Sequence, residues 1–415
     1  VKKILAADLF CGAGGTTSGL EYACVDLGLS LDVIGINHWD KAIETFRLNH
    51  PRARHLCETL DSVNPRIVIP GGRLDLLVAS PECIDHSPAK GGKPLSEQGR
   101  ASAWHVPRWL DALQVDGLIV ENVPRFMKWG PLGATGRPIK SRRGETFKAW
   151  LHAIEAHGYR VEYRTLIAAD YGDATTRERL FVQARKGRKH IDWPTPSHGE
   201  RPDSLFGRVL PWRPASEIID WSLNGRSIYN RPKPLTAKTL ARIAEGIRRF
   251  WGEPFVLAQA GGGVARSVKC PLPTITTDGA VRIIEPFVVT MRNHTSPRTV
   301  DHPLTTIATS GNHHLLVEAF IACYYGTTNV HRVTEPLPTI TTKDRFQLVE
   351  PVVVDGKMLD IRVRMFETHE LARATSLDPY WFAGNKTEQK KQIGNAVPRR
   401  LATALCRSYL EDRAA

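Results

Sequence analysis

Short apolar runs alternate with amphipathic stretches through the first 190 residues. Ile4–Phe10, Asp32–Asn37, Leu74–Ala79, Gly117–Glu121, Arg160–Ala168 and Leu180–Ala184 read as strands. Between them, the stretch after Cys11-Gly12-Ala13-Gly14-Gly15 carries Leu20, Ala23, Cys24 and Leu27 at helical spacing. Lys41–Asn49 and Thr146–His157 read as two further helices. Strand–helix alternation predicts a parallel α/β sheet, with ligands beyond the carboxyl ends of its strands.

Near residue 190 the pattern changes. Pro194, Pro196, Pro202, Pro211 and Pro214 mark a linker or an irregular second domain. A repeat follows. Cys270-Pro271-Leu272-Pro273-Thr274-Ile275-Thr276-Thr277 returns in altered form at His302–Thr309 and Glu335–Thr342, with Pro271, Pro303 and Pro336 spaced 32 and 33 residues apart. Its threonines, β-branched residues and prolines predict short strands and loops, with strand-like runs at Pro286–Val289, Ala319–Ile321 and Pro351–Val354. From about Arg364 the helical pattern resumes, through Glu370–Thr375 and Arg399–Tyr409; between them lies Gln392–Pro398, whose Asn395-Ala396-Val397-Pro398 reads as a turn feeding a helix. The expected division is therefore a catalytic domain at 1–190, a β-rich insert at 191–363 and a C-terminal segment at 364–415 that completes the first domain.

The 415 residues allow a sizeable core, and their net charge of +13 favours a polyanionic partner. A basic protein with merely solvated lysines and arginines is the bland alternative. No run is long and apolar enough to span a bilayer, and no signal peptide is evident, so a cytoplasmic, monomeric protein without a membrane is expected. The seven cysteines form no CxxC pair and lack zinc spacing, so no metal site is expected.

Four motifs carry chemistry. The glycines at 12, 14 and 15 let backbone approach a ligand at a helix start. They lack the full dinucleotide fingerprint, so S-adenosylmethionine is the better guess, its ammonium suited to Asp8. Cys83, placed by Pro81 at the end of a buried run, has the position of a fixed nucleophile. A thiolate added to C6 of a cytosine ring makes C5 nucleophilic enough to take a methyl group. Glu121 ends another run and is placed to engage N3. Arg177 and Arg179 precede a strand and are suited to the base O2 or a phosphate. Taken singly, each has a bland reading: a tight turn, a core cysteine, a surface glutamate, an ordinary salt bridge.

Together the motifs resemble the DNA cytosine-5 methyltransferases of bacteria and phages. Asp8–Gly15 is similar to their cofactor motif, Pro81-Glu82-Cys83 to their nucleophile motif, Glu121-Asn122-Val123 to their acid motif, Arg177-Glu178-Arg179 to their arginine motif and Gly394–Pro398 to their closing motif. The resemblance implies a Rossmann-like S-adenosylmethionine-dependent domain with a smaller target recognition domain. It implies Cys83, Glu121, Arg177 and Arg179 as catalytic residues acting on a cytosine flipped out of double-stranded DNA. Asp8, Phe10, Gly12, Gly14, Trp39, Glu58, Pro81 and Asn395 become the expected cofactor contacts. A cognate restriction or defence system is a further expected partner. Departures are Glu82 for the second proline, Ile84 for glutamine, Thr175 for glutamine and His38 for the ribose-binding glutamate. Two alternatives stay open: a tRNA cytosine-5 methyltransferase, and a DNA-binding protein on a degenerate scaffold.

Overall fold

The computed structural model describes residues 1–82, 101–187, 189–200 and 367–414, with short segments and strand backbones between 201 and 366. Two compact units are present. The first comprises Val1–Arg213, Pro273–Asp278 and Leu371–Ala415. The second comprises Pro214–Leu272 and Gly279–Glu370.

In the first unit the strands are β1 (Lys3–Leu9), β2 (Ser30–Asn37), β3 (Arg54–Cys57), β4 (Leu76–Ala79), β5 (Gly117–Asn122), β6 (Tyr159–Ile167) and β7 (Glu178–Lys186). They form one sheet in the order β3-β2-β1-β4-β5-β7-β6. The helices are α1 (Gly15–Asp26), α2 (Asp40–Asn49), α3 (His105–Ala112), α4 (Glu145–Ala156) and, from the returning chain, α5 (Thr368–Ala374), α6 (Lys386–Asn395) and α7 (Arg399–Ala414).

β1 to β5 are parallel, as Ala6 opposite Leu76 and Val78 opposite Ile119 show. The expectation of an all-parallel sheet is corrected at one edge. β7 runs antiparallel to β5, with Val120 opposite Val182, and β6 antiparallel to β7. The cause is the connection. Residues 168–177 are too few for a crossover, so β6 and β7 pair as neighbours in opposite directions.

Both faces of the sheet are covered, which explains why its central strands read as continuous apolar runs. On one face Ala7, Leu9, Leu77 and Val120 pack with Trp109 of α3 and Trp150 of α4. On the other Ile4, Ala6, Val78 and Ile119 pack with Leu20 and Ala23 of α1 and Leu401, Leu405 and Tyr409 of α7. Burying a leucine such as Leu401 or Leu405 stabilises by about 1.5–3 kcal/mol. α1 and α7 approach closely because Gly19 has no side chain; a Cβ there would lie 2.4 Å from the Ala402 Cβ. α7 is also pinned by Arg413, which donates to Asp75 at 2.5 Å and to Asp116 at 2.7 Å.

α6 ends at Asn395, and Ala396–Pro398 lead into α7. The start of α6 is fixed by a capping box: Asn385 accepts from the Thr387 and Glu388 amides, and Glu388 accepts from the Asn385 amide. In the second unit Val281–Val289 pairs antiparallel with Lys357–Met365, and Phe320–Tyr324 lies between Thr328–Arg332 and Phe346–Val349. Most of the three repeat copies lies outside the described residues. Among the described residues no helix is long and apolar enough to cross a membrane.

Candidate active site

The carboxyl ends of β1, β2, β4 and β5 open on one cavity of about 220 Å³. Each parallel strand therefore delivers the residues that follow it to the same place.

β1 delivers Phe10, Cys11, Gly12, Ala13 and Gly15 to the wall. Phe10 (φ 59°), Gly12 (φ 53°) and Gly14 (φ 92°) are left-handed, so the chain turns sharply before entering α1. Nothing lies within 4 Å of where a Gly12 Cβ would stand, leaving the backbone bare to the cavity. Burial pushes the Cys11 thiol well above its ordinary value, so this sulfur in the wall stays protonated.

Asp8, expected as a cofactor contact, is not in the wall and is 1% exposed. Strand periodicity explains its place. Ile4, Ala6 and Asp8 alternate onto the α1 face, where Thr17 donates to Asp8 Oδ2 at 2.6 Å. Burial raises the Asp8 carboxyl to about 7. Gly14 likewise caps α1 and does not line the cavity.

β2 delivers Asn37, His38 and Trp39. The Trp39 amide donates to the Asn37 side chain at 2.9 Å, and the Lys391 ammonium of α6 sits 4.6 Å from the indole centroid. Glu58 falls elsewhere. It is exposed, outside the wall, and accepts from Ser62 at 3.2 Å.

β4 delivers Ser80, Pro81 and Glu82. The Ser80 amide donates to the Leu9 carbonyl at 3.0 Å, and the Pro81 carbonyl accepts from the Asn122 side chain at 3.2 Å. These bonds tie Ser80 and Pro81 to β1 and β5. Two of the sequence departures meet here, His38 lying 3.9 Å from Glu82. Cys83 and Ile84 lie outside the described residues, one and two positions past this wall.

β5 delivers Glu121, which is 9% exposed. Its carboxylate pairs with the Arg179 guanidinium of β7 at 3.0 Å, both side chains largely buried. Arg177 also lines the cavity, but its guanidinium is committed to the Gly394 carbonyl at 2.7 Å. It therefore fastens the returning chain to the sheet, whereas Arg179 faces the acid. Asn395 joins the wall from α6.

Lys391 and Gln392 complete the wall without having been foreseen. Lys391 and Asn395 are four residues apart on one helix, and that spacing was the available signal.

Residues 4–206 match the model of the C-5 cytosine-specific DNA methylases. The type II methyltransferase M.Sau3AI of Staphylococcus aureus is 28% identical over 191 residues, 44% of this chain and 43% of its own. The type II methyltransferase M.AquIA of Picosynechococcus is 25% identical over 228 residues, 52% of this chain and 88% of its own. The chain thus spans under half the length of the first of these relatives and most of the second. Two solved structures share the fold. The Entamoeba histolytica methyltransferase EhMeth superposes with a TM-score of 0.53 at 12% identity, over 100% of this chain and 99% of its own. Spodoptera frugiperda DNMT2 superposes with 0.54 at 14% identity, over 99% and 100%.

Proposed function

We propose that the protein transfers a methyl group from S-adenosylmethionine to C5 of a cytosine flipped out of double-stranded DNA. The observation that carries this reading is the pairing of Glu121 with Arg179 in the same cavity as Trp39 and the bare glycine turn. An acid–guanidinium pair suits a pyrimidine edge, and an indole beside exposed backbone amides suits an adenosine-bearing donor.

The residues present fit that donor. Trp39 offers an aromatic face, Gly12 offers uncovered backbone, and Asn37 and Asn395 offer amide groups. What the donor supplies when bound is an electrophilic methyl group on a sulfonium. The chain's own residues do the rest. Cys83, as thiolate, forms a bond to C6, and the displaced electron pair makes C5 nucleophilic. Glu121 holds a proton toward N3, and Arg179 fixes the carboxyl and faces the base O2. After C5 is methylated its proton leaves to a base, the electron pair returns to the C5–C6 bond, and the sulfur departs. Pro81, tied to Asn122, sets the start of the segment that carries the sulfur.

The residues 191–363 serve in this reading as the target recognition domain. Their β-strand content and the chain's net charge of +13 support contact with a phosphate backbone. The coupling of such an enzyme to a nuclease in a restriction or defence system fits the type II relatives.

Bisulfite sequencing of plasmid DNA from cells making the protein tests the proposal, with methylated cytosines in one sequence context as the expected result. Cys83→Ser abolishes methylation while DNA binding persists. Duplex DNA containing 5-fluorocytosine, given with donor, forms a covalent complex with the wild type. Full activity of Cys83→Ser, or transfer to tRNA in preference to duplex DNA, overturns the reading.

A further inference from the structure

Two carboxyls line the cavity among its described residues, Glu82 and Glu121. Glu121 is taken up by the Arg179 guanidinium at 3.0 Å. Glu82 has no part in the transfer steps derived above. Among the described residues its carboxyl is met only by the His38 ring, whose Nδ1 lies 3.9 Å from Oε1. The two side chains are 39% and 52% exposed, so both are open to a ligand entering the cavity.

The contact between them has a direction. Glu82 follows β4 and His38 follows β2, and β1 lies between those strands. Two strands that flank a third stand about 9–10 Å apart. The side chains therefore meet over the end of β1, and the Glu82 carboxyl leans toward β2 and away from β5, which carries Glu121. In the chain Glu82 adjoins the thiol, but in space its carboxyl sits beside the residue that precedes Trp39. An adenine on the Trp39 face carries its ribose directly bonded to the ring, so the ribose is the next part of the donor to need a partner. Its two neighbouring hydroxyls are donors, and the two oxygens of one carboxyl accept from both. Acidic side chains are the usual partners of ribose hydroxyls in nucleotide-binding α/β sheets. The donor's ammonium is the rival claimant, but it ends the amino-acid arm, several bonds beyond the ribose.

We propose that Glu82 binds the two ribose hydroxyls of the methyl donor, and that His38 is a positioning residue that holds the Glu82 carboxyl over the end of β1. The proposal rests on the donor-site reading above. It divides the two carboxyls of the cavity between the two substrates: Glu121 serves the base and Glu82 the donor.

Calorimetry on the full chain tests it, with S-adenosylhomocysteine, the spent donor, and its 2′-deoxy, 3′-deoxy and deaminated analogues. The wild type should bind each deoxy analogue at least about tenfold more weakly than the parent, the value of a hydrogen bond to a charged group. Glu82→Ala should bind the parent about as weakly and scarcely distinguish it from the deoxy analogues, because a hydroxyl without a partner has nothing to lose. His38→Ala should keep about a threefold preference for the parent. Should Glu82→Ala not fold, Glu82→Gln reads the same difference and should lose the preference at one hydroxyl or both. Equal weakening of the parent and both deoxy analogues marks a merely structural role and overturns the proposal, as does a wild type that binds all three alike. Loss in Glu82→Ala of the preference over the deaminated analogue, with the hydroxyl preferences intact, gives the carboxyl to the ammonium and also overturns it. A wild type that binds none of the four refutes the donor-site reading, and the proposal falls with it.

Discussion

At one end of the cavity the glycine turn is seated on Glu21, His50 and Tyr380, residues brought together from three distant parts of the chain. At the other end Glu121 stands on a central strand and meets Arg179 on the strand hydrogen-bonded beside it. The first end is supported by side-chain hydrogen bonds between residues far apart in the sequence. The second is supported by strand backbone and one ion pair. The donor end should therefore respond to changes far from the ligand, while the acid end should respond mainly to changes in the residues that touch the base.

Substitutions that separate the two ends test that division. The largest effect is expected for Glu121→Gln, which removes the proton offered to N3. Methyl transfer should fall by about 10²–10⁴-fold, the usual worth of general acid–base assistance, with S-adenosylhomocysteine affinity unchanged. Rate assays and calorimetry on the same preparation check it, and a parallel loss of donor affinity would join what we separate.

Next in size is a stability effect. Burial raises both Asp8 and Asp173 to about 7 from 3.8. Between those values the folded protein binds more protons than the unfolded chain, so stability declines as pH rises from about 4 to about 7 and levels off above. Each carboxyl accounts for on the order of 4 kcal/mol of that decline. Asp8→Asn should remove roughly half of it, read from denaturant unfolding across that range. An unchanged slope would show that Asp8 is ionised beneath the turn.

Trp39→Ala comes third. Loss of an aromatic face costs about 1–3 kcal/mol per stacked base, so donor affinity should weaken by roughly tenfold with little change in the rate at saturating donor. Asn122→Ala is the smallest, removing one buried bond to the Pro81 carbonyl. About 1 kcal/mol of stability should be lost, with transfer slowed more than donor binding. The opposite split would place Pro81 with the donor end.

The elements of the first unit were largely legible because both sheet faces are apolar and the helices have clear stripes. The direction of β6 and β7 was not, since direction depends on a connection whose length matters more than its hydrophobicity. Glu121 and Arg179 were expected to face one cleft, and both line the cavity. Trp39, which entered only through the motif resemblance, lines it too. Asp8 was expected as a ligand contact by its motif, whereas its alternation with Ile4 and Ala6 puts it on the α1 face. Glu58 was expected there as well and is exposed outside the wall, since a short edge strand says little about where the next side chain turns. The His50 cluster left no trace in the pattern. Glu21 is 29 residues away and Tyr380 is 330, and only folding brings them to one ring.

The returning segment roofs the cavity with Lys391 and Asn395 and covers the lower sheet face with α7. A growing polypeptide still on the ribosome, with residues 1–213 emerged and 371–414 not yet made, would have an open, roofless crevice and a bare oily layer. On the reading proposed above, no such early fragment should hold the methyl donor.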